Sequence, residues 1–396
     1  RHRRASLSLL LPLSAHVDGL RSFLRDPLGP HGERVRTAVY VVLTVVLLAV
    51  TAQRSLFPHH THPTFPIFRA SFWHLLYGQN LYAGYGLGDR FKYSPTMALL
   101  FAPFSIPPFA VGLLLWNALN VAALIYALDR LCSRHDATIA LVLLIPEIHG
   151  AMQRSQSNAL VAALIVLWFV SLERGEQVSG YLSIALGAAI KLFPLAALTF
   201  ALFHPRRLRA ALIFACCALA MLLLPLLITP AAALKAQYGW WFAIESGDSL
   251  ARGMSVMRLA HRIFPGAWPN WPVQLAGLLI LLAPLVQARR WHDPGFRTSY
   301  LASLLVFVVL FNHQAERPSY VIACTGVVIW FVCSSREPWR LALVLLSLTG
   351  INAIGYLPVW LAMQAGLYAR EPAREAAPEI SGCCYPTPPL GRRQSA

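Results

Sequence analysis

The side chains in this sequence best equipped for chemistry are acids, cations and amides scattered through hydrocarbon. Asp89 and Lys92 fall in Asp89-Arg90-Phe91-Lys92-Tyr93-Ser94-Pro95, Glu147 and His149 follow Pro146, and Gln156 and Asn158 follow Arg154. Lys191 interrupts a long apolar run. Glu245, Asp248, Arg252 and Arg258 share one stretch, and Asn312, His313, Glu316 and Arg317 share another. A carboxylate within reach of an alcohol can take its proton, and cations beside it can hold a departing phosphate. That combination suits an anionic, hydroxyl-bearing ligand, and a reaction that uses both halves is glycosyl transfer from a lipid phosphosugar. The motifs of soluble nucleotide, protease and hydrolase sites (P-loop, GxGxxG after a strand, HExxH, GxSxG) do not occur.

Each candidate also has a plainer role open to it. Asp89 can close the turn Gly86-Leu87-Gly88-Asp89, and Lys92, Arg252 and Arg258 can bind lipid headgroups without selectivity. Glu147 can cap backbone freed by Pro146, Gln156 and Asn158 can tie helices together, and Glu316 can pair with Arg317 at an end cap. His149 and His313 fit a membrane interface better than a metal site, so no metal ligands are assigned, although a divalent metal remains compatible with the chemistry.

The frame around these residues is hydrocarbon. Hydrophobic residues make up 57% of the 396 positions and charged residues 13%, with mean hydropathy +0.55, against about 25% charged residues in soluble domains. Repeated apolar runs then predict an all-α polytopic integral membrane protein, because a helix satisfies its own backbone in lipid. The net charge of +16 is dispersed over short loops. It therefore reads as orientation and attraction to anionic membrane lipids, not as a nucleic-acid surface. The seven cysteines show no paired CxxC pattern and read as small hydrophobes, with Cys383-Cys384 open to lipidation or oxidation.

Three segments are expected: a cytoplasmic basic arm at 1–36 with an amphipathic piece at Ser6–Leu24, a transmembrane domain at 37–360, and a disordered tail at 361–396. The first span at Thr37–Ala52 follows the Arg-rich arm and is a transmembrane helix, not a signal peptide. An interfacial helix is predicted at Ile67–Tyr77. Ser94–Pro107 is too short to cross and is assigned as a juxtamembrane or re-entrant helix. Further crossings are placed at 109–128, 138–150, 158–172, 178–190, 194–204, 209–229, 271–287, 298–311, 319–333 and 339–360, about eleven in all. The break at Lys191-Leu192-Phe193-Pro194 spares a buried ammonium, and 230–270 is a second outer loop with a belt of Trp240, Trp241, Trp268 and Trp271. This arrangement puts the Arg-bearing turns at 129–136, 173–177, 204–209, 287–297 and 334–340 inside. The candidate polar residues converge on the extracytoplasmic side.

The succession NLY…FKYSPTMALLFAPFSIPP…LLLWNALN, QRSQSNALVAALIVLWF, GYLSIALGAAIKLFPLAAL and HPRRLR resembles glycosyltransferase family 87 over most of 37–360. The resemblance implies a GT-C-type bundle and kinship with polyprenyl-phosphate-mannose-dependent α-mannosyltransferases. It also implies an inverting transfer to a glycan or glycolipid hydroxyl on the outer face of a bacterial-type plasma membrane. By the same resemblance Lys191, Gln156 and Asn158 contact the donor phosphate or sugar. Family members commonly carry an Asp-Phe pair early in the first outer loop, where this chain has Thr64-Phe65. Asp89 is therefore the first choice for the base, with Glu147 and Glu316 in reserve, and Lys92, Lys191 and Arg252 hold the leaving phosphate. A lipid-linked sugar transporter or flippase would use the cavity without a base, and a non-catalytic envelope-glycan assembly subunit would need neither.

Overall fold

Long apolar runs close their own hydrogen bonds and become helices. The computed structural model describes residues 18–57, 64–84, 86, 89–203, 205–349 and 353–369, and no strand occurs among them. Helix α1 (Gly32–Leu56) opens the bundle and takes in the expected boundary at residue 36. Of the amphipathic piece at Ser6–Leu24, residues 18–24 are helical and the rest lies outside the described residues, as does Cys383-Cys384. The helix predicted at Ile67–Tyr77 is α2, which starts earlier and runs Thr64–Leu76. The segment expected not to cross holds only α3 (Pro95–Leu100) and the turn Ala102–Ser105, and α3 is started by Ser94, whose hydroxyl accepts from the Met97 amide.

Helices α4 (Phe109–Leu131), α5 (Arg134–Arg154), α6 (Asn158–Glu173) and α7 (Gln177–Ile190) follow. Lys191 is extended, and a 3-10 helix (Phe193–Phe203) resumes through Pro194, so the chain breaks where a buried charge demanded it. After α8 (Arg207–Leu223), the stretch expected as an outer loop contains two helices, α9 (Ala231–Gly247) and α10 (Val256–Ile263). Next come α11 (Trp271–Leu282), α12 (Pro294–Leu310) and α13 (Tyr320–Val332). Of the last predicted crossing, 339–360, the described residues lie in α14 (Pro338–Thr349) and α15 (Ala353–Tyr368), and residues 350–352 lie outside the described residues. Helix α15 also runs beyond the boundary expected at 360.

Among the described residues, three helices are long and apolar enough to cross a membrane: Asp18–Leu56, Phe109–Leu131 and Arg207–Leu227. Others are shorter but equally apolar. Every residue of α13 is buried and α6 is buried on nearly every side, whereas α8 buries only Ala210. A helix apolar all round is stable at a core or against lipid, and the bundle uses both. Gly326 lets α13 pack closely on α12, since a Cβ there would lie 2.5 Å from the Ala302 carbonyl oxygen.

Because consecutive helices alternate in direction, their ends gather into two sets. One end is laced by ion pairs: Arg36 with Asp129 at 2.6 Å, Arg134 with Glu33 at 2.8 Å, Arg297 with Glu173 at 2.6 Å, and Arg336 with Asp136. The other end opens into a cavity.

Candidate functional site

The cavity encloses about 1260 Å³. It is built from helix starts, helix ends and the loops between them: the start of α2, the loop before α3, the α5–α6 turn, the break after α7, the end of α9, and the loop joining α12 to α13. One wall, including Leu275, Leu278, Phe307 and Phe311, is apolar. Among the described lining residues, Arg90, Lys92, Arg154, Lys191, Arg258 and Arg317 supply positive charge, and Asp89, Glu245 and Glu316 supply carboxylates. Cations outnumber acids, so the surface favours an anionic ligand while keeping acceptors for hydroxyl protons.

Of the residues predicted from sequence, Asp89, Lys92, Gln156, Lys191 and Glu316 line this one cavity. Four of the predicted residues form a chain. Lys191 Nζ donates to Asn158 Oδ1 at 2.8 Å, Asn158 Nδ2 to Gln156 Oε1 at 2.8 Å, and Gln156 Nε2 to Glu316 Oε2 at 2.8 Å. The rings of Tyr93 and Phe193 flank the ammonium at 5.6 and 5.8 Å. Desolvation by these surroundings lowers the Lys191 pKa to about 8, opposed by the charges of Glu316 and Glu245. Lys191 is therefore still largely protonated at neutral pH.

Three predicted site residues do not reach the cavity. Asn158 is completely buried and touches it only through Lys191 and Gln156. Glu147 lies inside α5, not at its end, and is 4% exposed; its two oxygens accept from Arg317 Nη1 and Nη2, both at 2.7 Å. Pro146 does not end the helix, which continues to Arg154, so Glu147 is carried inward rather than left at a span end. Arg252 points elsewhere: its guanidinium lies 5.2 Å from the centre of the Trp268 ring and donates to the Trp268 carbonyl at 3.1 Å. Asp89 faces the cavity from an exposed turn, where Oδ1 accepts from the Arg90 amide at 2.7 Å. Thr64, the position where an acid was expected, also lines the cavity.

Arg154, Arg258, Arg317 and Glu245 also line the cavity; the sequence named them among its polar candidates without giving them a role in the reaction. Lys92 Nζ donates to Asp248 at 3.1 Å, and Gln314 Nε2 bridges Asp248 and Glu245 at 3.4 Å each. Burial works against the Lys92 charge, but the Asp248 hydrogen bond and the charges of Asp89, Asp248 and Glu316 outweigh it and raise its pKa. Burial also raises the pKa of Glu245, against the hydrogen bond from Gln314. Trp241, expected in an interfacial belt, instead lines the cavity and donates to the Lys92 carbonyl at 3.3 Å.

The loop carrying Glu316 is pinned by backbone. Met254 N donates to the Ala315 carbonyl at 2.7 Å, and a Cβ on Gly253, whose φ is +41°, would lie 2.4 Å from that oxygen. Only glycine permits this approach. Among the described residues, no three His, Cys, Asp or Glu side chains gather to hold a metal ion.

Residues 91–312 match the family model for glycosyltransferase family 87, more than half of the chain. No curated protein matches it. The matched span includes Lys92, Gln156, Asn158 and Lys191, but Asp89 precedes it and Glu316 follows it.

Proposed function

The chain belongs to glycosyltransferase family 87, and from that premise we propose that it moves a hexose, mannose in the first instance, from a polyprenyl-phosphate donor to a glycan or glycolipid hydroxyl with inversion. The observation that carries the reading is the hydrogen-bonded chain joining a cavity cation, Lys191, to a cavity carboxylate, Glu316. In this reading the acceptor hydroxyl oxygen bonds to the anomeric carbon as the bond from that carbon to the phosphate oxygen breaks. The electron pair leaves on polyprenyl phosphate, where Lys191, Arg154 and Arg317 offset its charge. The hydroxyl proton passes to Glu316. Glu316 is favoured over Asp89 because the Gln156 amide orients it and ties it through Asn158 to Lys191. No step is routed through a metal.

The setting is a GT-C-type bundle of about eleven crossings in a bacterial-type plasma membrane, its cavity facing the extracytoplasmic side. The Arg-rich turns at the opposite end support that orientation through the positive-inside rule. The apolar wall suits the hydrocarbon of the donor. The test is transfer by the full chain in liposomes with a polyprenyl-phosphate hexose. Glu316→Gln should lower kcat on the order of 100-fold or more, and Asp89→Asn should give the smaller loss. Wild-type turnover in Glu316→Gln removes the base assignment, and collapse in Asp89→Asn alone moves it to Asp89.

A further inference from the structure

The chain from Lys191 to Glu316 has a fixed polarity. An ammonium can only donate and a carboxylate can only accept, so the amides between them can be oriented one way only. Asn158 must turn its carbonyl to Lys191 and its NH2 to Gln156, and Gln156 must turn its NH2 to Glu316. The observed 2.8 Å contacts have this sense throughout. Neither amide can flip without facing like against like at both ends.

The α5–α6 turn that carries the amides is held from behind by α4. Trp116 Nε1 donates to the Ser155 carbonyl at 2.7 Å, Asn117 Nδ2 to the Met152 carbonyl at 3.3 Å, and Asn120 Oδ1 accepts from the Leu160 amide at 3.1 Å. Ser155 takes a left-handed conformation, φ 49°, to make the turn. At the far end Lys191 is confined between the Tyr93 and Phe193 rings. Trp116, Asn117, Asn120 and Asn158 are all buried. Such support is what fixes a reactive group before its ligand arrives.

We infer that Asn158 and Gln156 are positioning residues that lock the cation of the leaving phosphate and the base for the acceptor hydroxyl into one unit. The inference rests on the proposed transfer reaction. It replaces direct donor contact by Asn158, which has no surface in the cavity. When Glu316 takes the hydroxyl proton its charge is lost, and the polarised amides relax toward Lys191 as the phosphate there becomes the stronger anion. The charged groups facing Lys191 are Glu316 and Glu245, and those acting on Glu316 include Lys92 and Lys191.

The test measures kcat and donor KM against pH for the full chain in liposomes. Asn158→Asp keeps an oxygen for Lys191 but removes the NH2 that Gln156 accepts from. Gln156 then inverts and turns its carbonyl on Glu316, which holds its proton more readily. The acid limb of kcat should rise by about one pH unit, and donor KM should stay within about threefold. Asn158→Leu strands Lys191 instead, so donor KM should rise about tenfold and the basic limb should fall. Gln156→Leu, at a half-buried position of the turn, should reproduce the acid-limb shift while leaving donor KM near wild type, and it decides the matter if the Asn158 variants do not fold. Folded variants with wild-type limbs and an unchanged kcat-to-KM split overturn the inference. Wild-type protein inactive with every polyprenyl-phosphate hexose overturns the underlying transfer reading instead.

Discussion

At the scale of single residues, Glu147 shows how a carboxylate in hydrocarbon can serve a site without entering it. Both its oxygens are spent on Arg317, and Arg317 is the partner that reaches the cavity. A bidentate pair fixes the plane of a guanidinium as well as neutralising it. Glu147→Gln should therefore raise donor KM about tenfold with a smaller effect on kcat, and Glu147→Gln in an Arg317→Gln background should add little further loss. A base at Glu147 would give the opposite pattern, with kcat collapsing at constant KM. Thermal stability should also be asymmetric. Arg317→Gln strands a buried carboxylate and should cost about 3–5 kcal/mol, more than Glu147→Gln. The types of these residues were legible in the sequence, but the partnership was not, because Glu147 and Arg317 stand 170 positions apart.

At the scale of elements, the site is made by ends and breaks, and these follow local rules. The stop at Lys191-Leu192-Phe193-Pro194, the shortness of the Pro95–Leu100 helix and a helix at Ile67–Tyr77, found at Thr64–Leu76, could all be read from charge, length and proline. The 230–270 segment could not. Its helices Ala231–Gly247 and Val256–Ile263 are neither long nor uniformly apolar, so they leave no spanning signal. Yet they carry Trp241, Glu245 and Arg258 to the cavity. Gly253 between them is the hinge of this arrangement. Gly253→Ala places a methyl against the Ala315 carbonyl and strains a positive φ, together on the order of 1–3 kcal/mol. It should shift the loop bearing Glu316, lowering kcat at least tenfold along with the melting temperature. A variant with unchanged kcat would show that the loop tolerates displacement.

At the scale of the whole molecule, the two ends differ in electrostatic character. The ion-paired end balances its arginines with acids such as Asp129, Asp136 and Glu173, while at the cavity end the lining cations outnumber the lining carboxylates. An anionic headgroup would be drawn to the second end and would leave its hydrocarbon along the apolar wall. The orientation proposed above is open to a direct check in intact cells. Leu250→Cys, at the exposed surface of the cavity end, should react with a membrane-impermeant maleimide from outside. Arg289→Cys, in an Arg-bearing turn at the opposite end, should react only after permeabilisation. Reversed labelling would invert the topology.

Composition and apolar run length by themselves determined that the chain is a helical bundle, because backbone hydrogen bonding in hydrocarbon leaves few alternatives. Charge and proline placement determined where most helices stop, and with the order of its motifs the sequence carried its family. Of the eight residues assigned a role from sequence, five line the cavity. Only the tertiary structure decided that Asn158 and Glu147 stand behind the cavity rather than in it, and that Arg252 stacks on Trp268 instead of facing it. Both kinds of fact involve polar side chains among apolar helices, but they differ in range. Helix formation is a property of neighbours along the chain, whereas hydrogen-bond partnership depends on which helix ends meet in space.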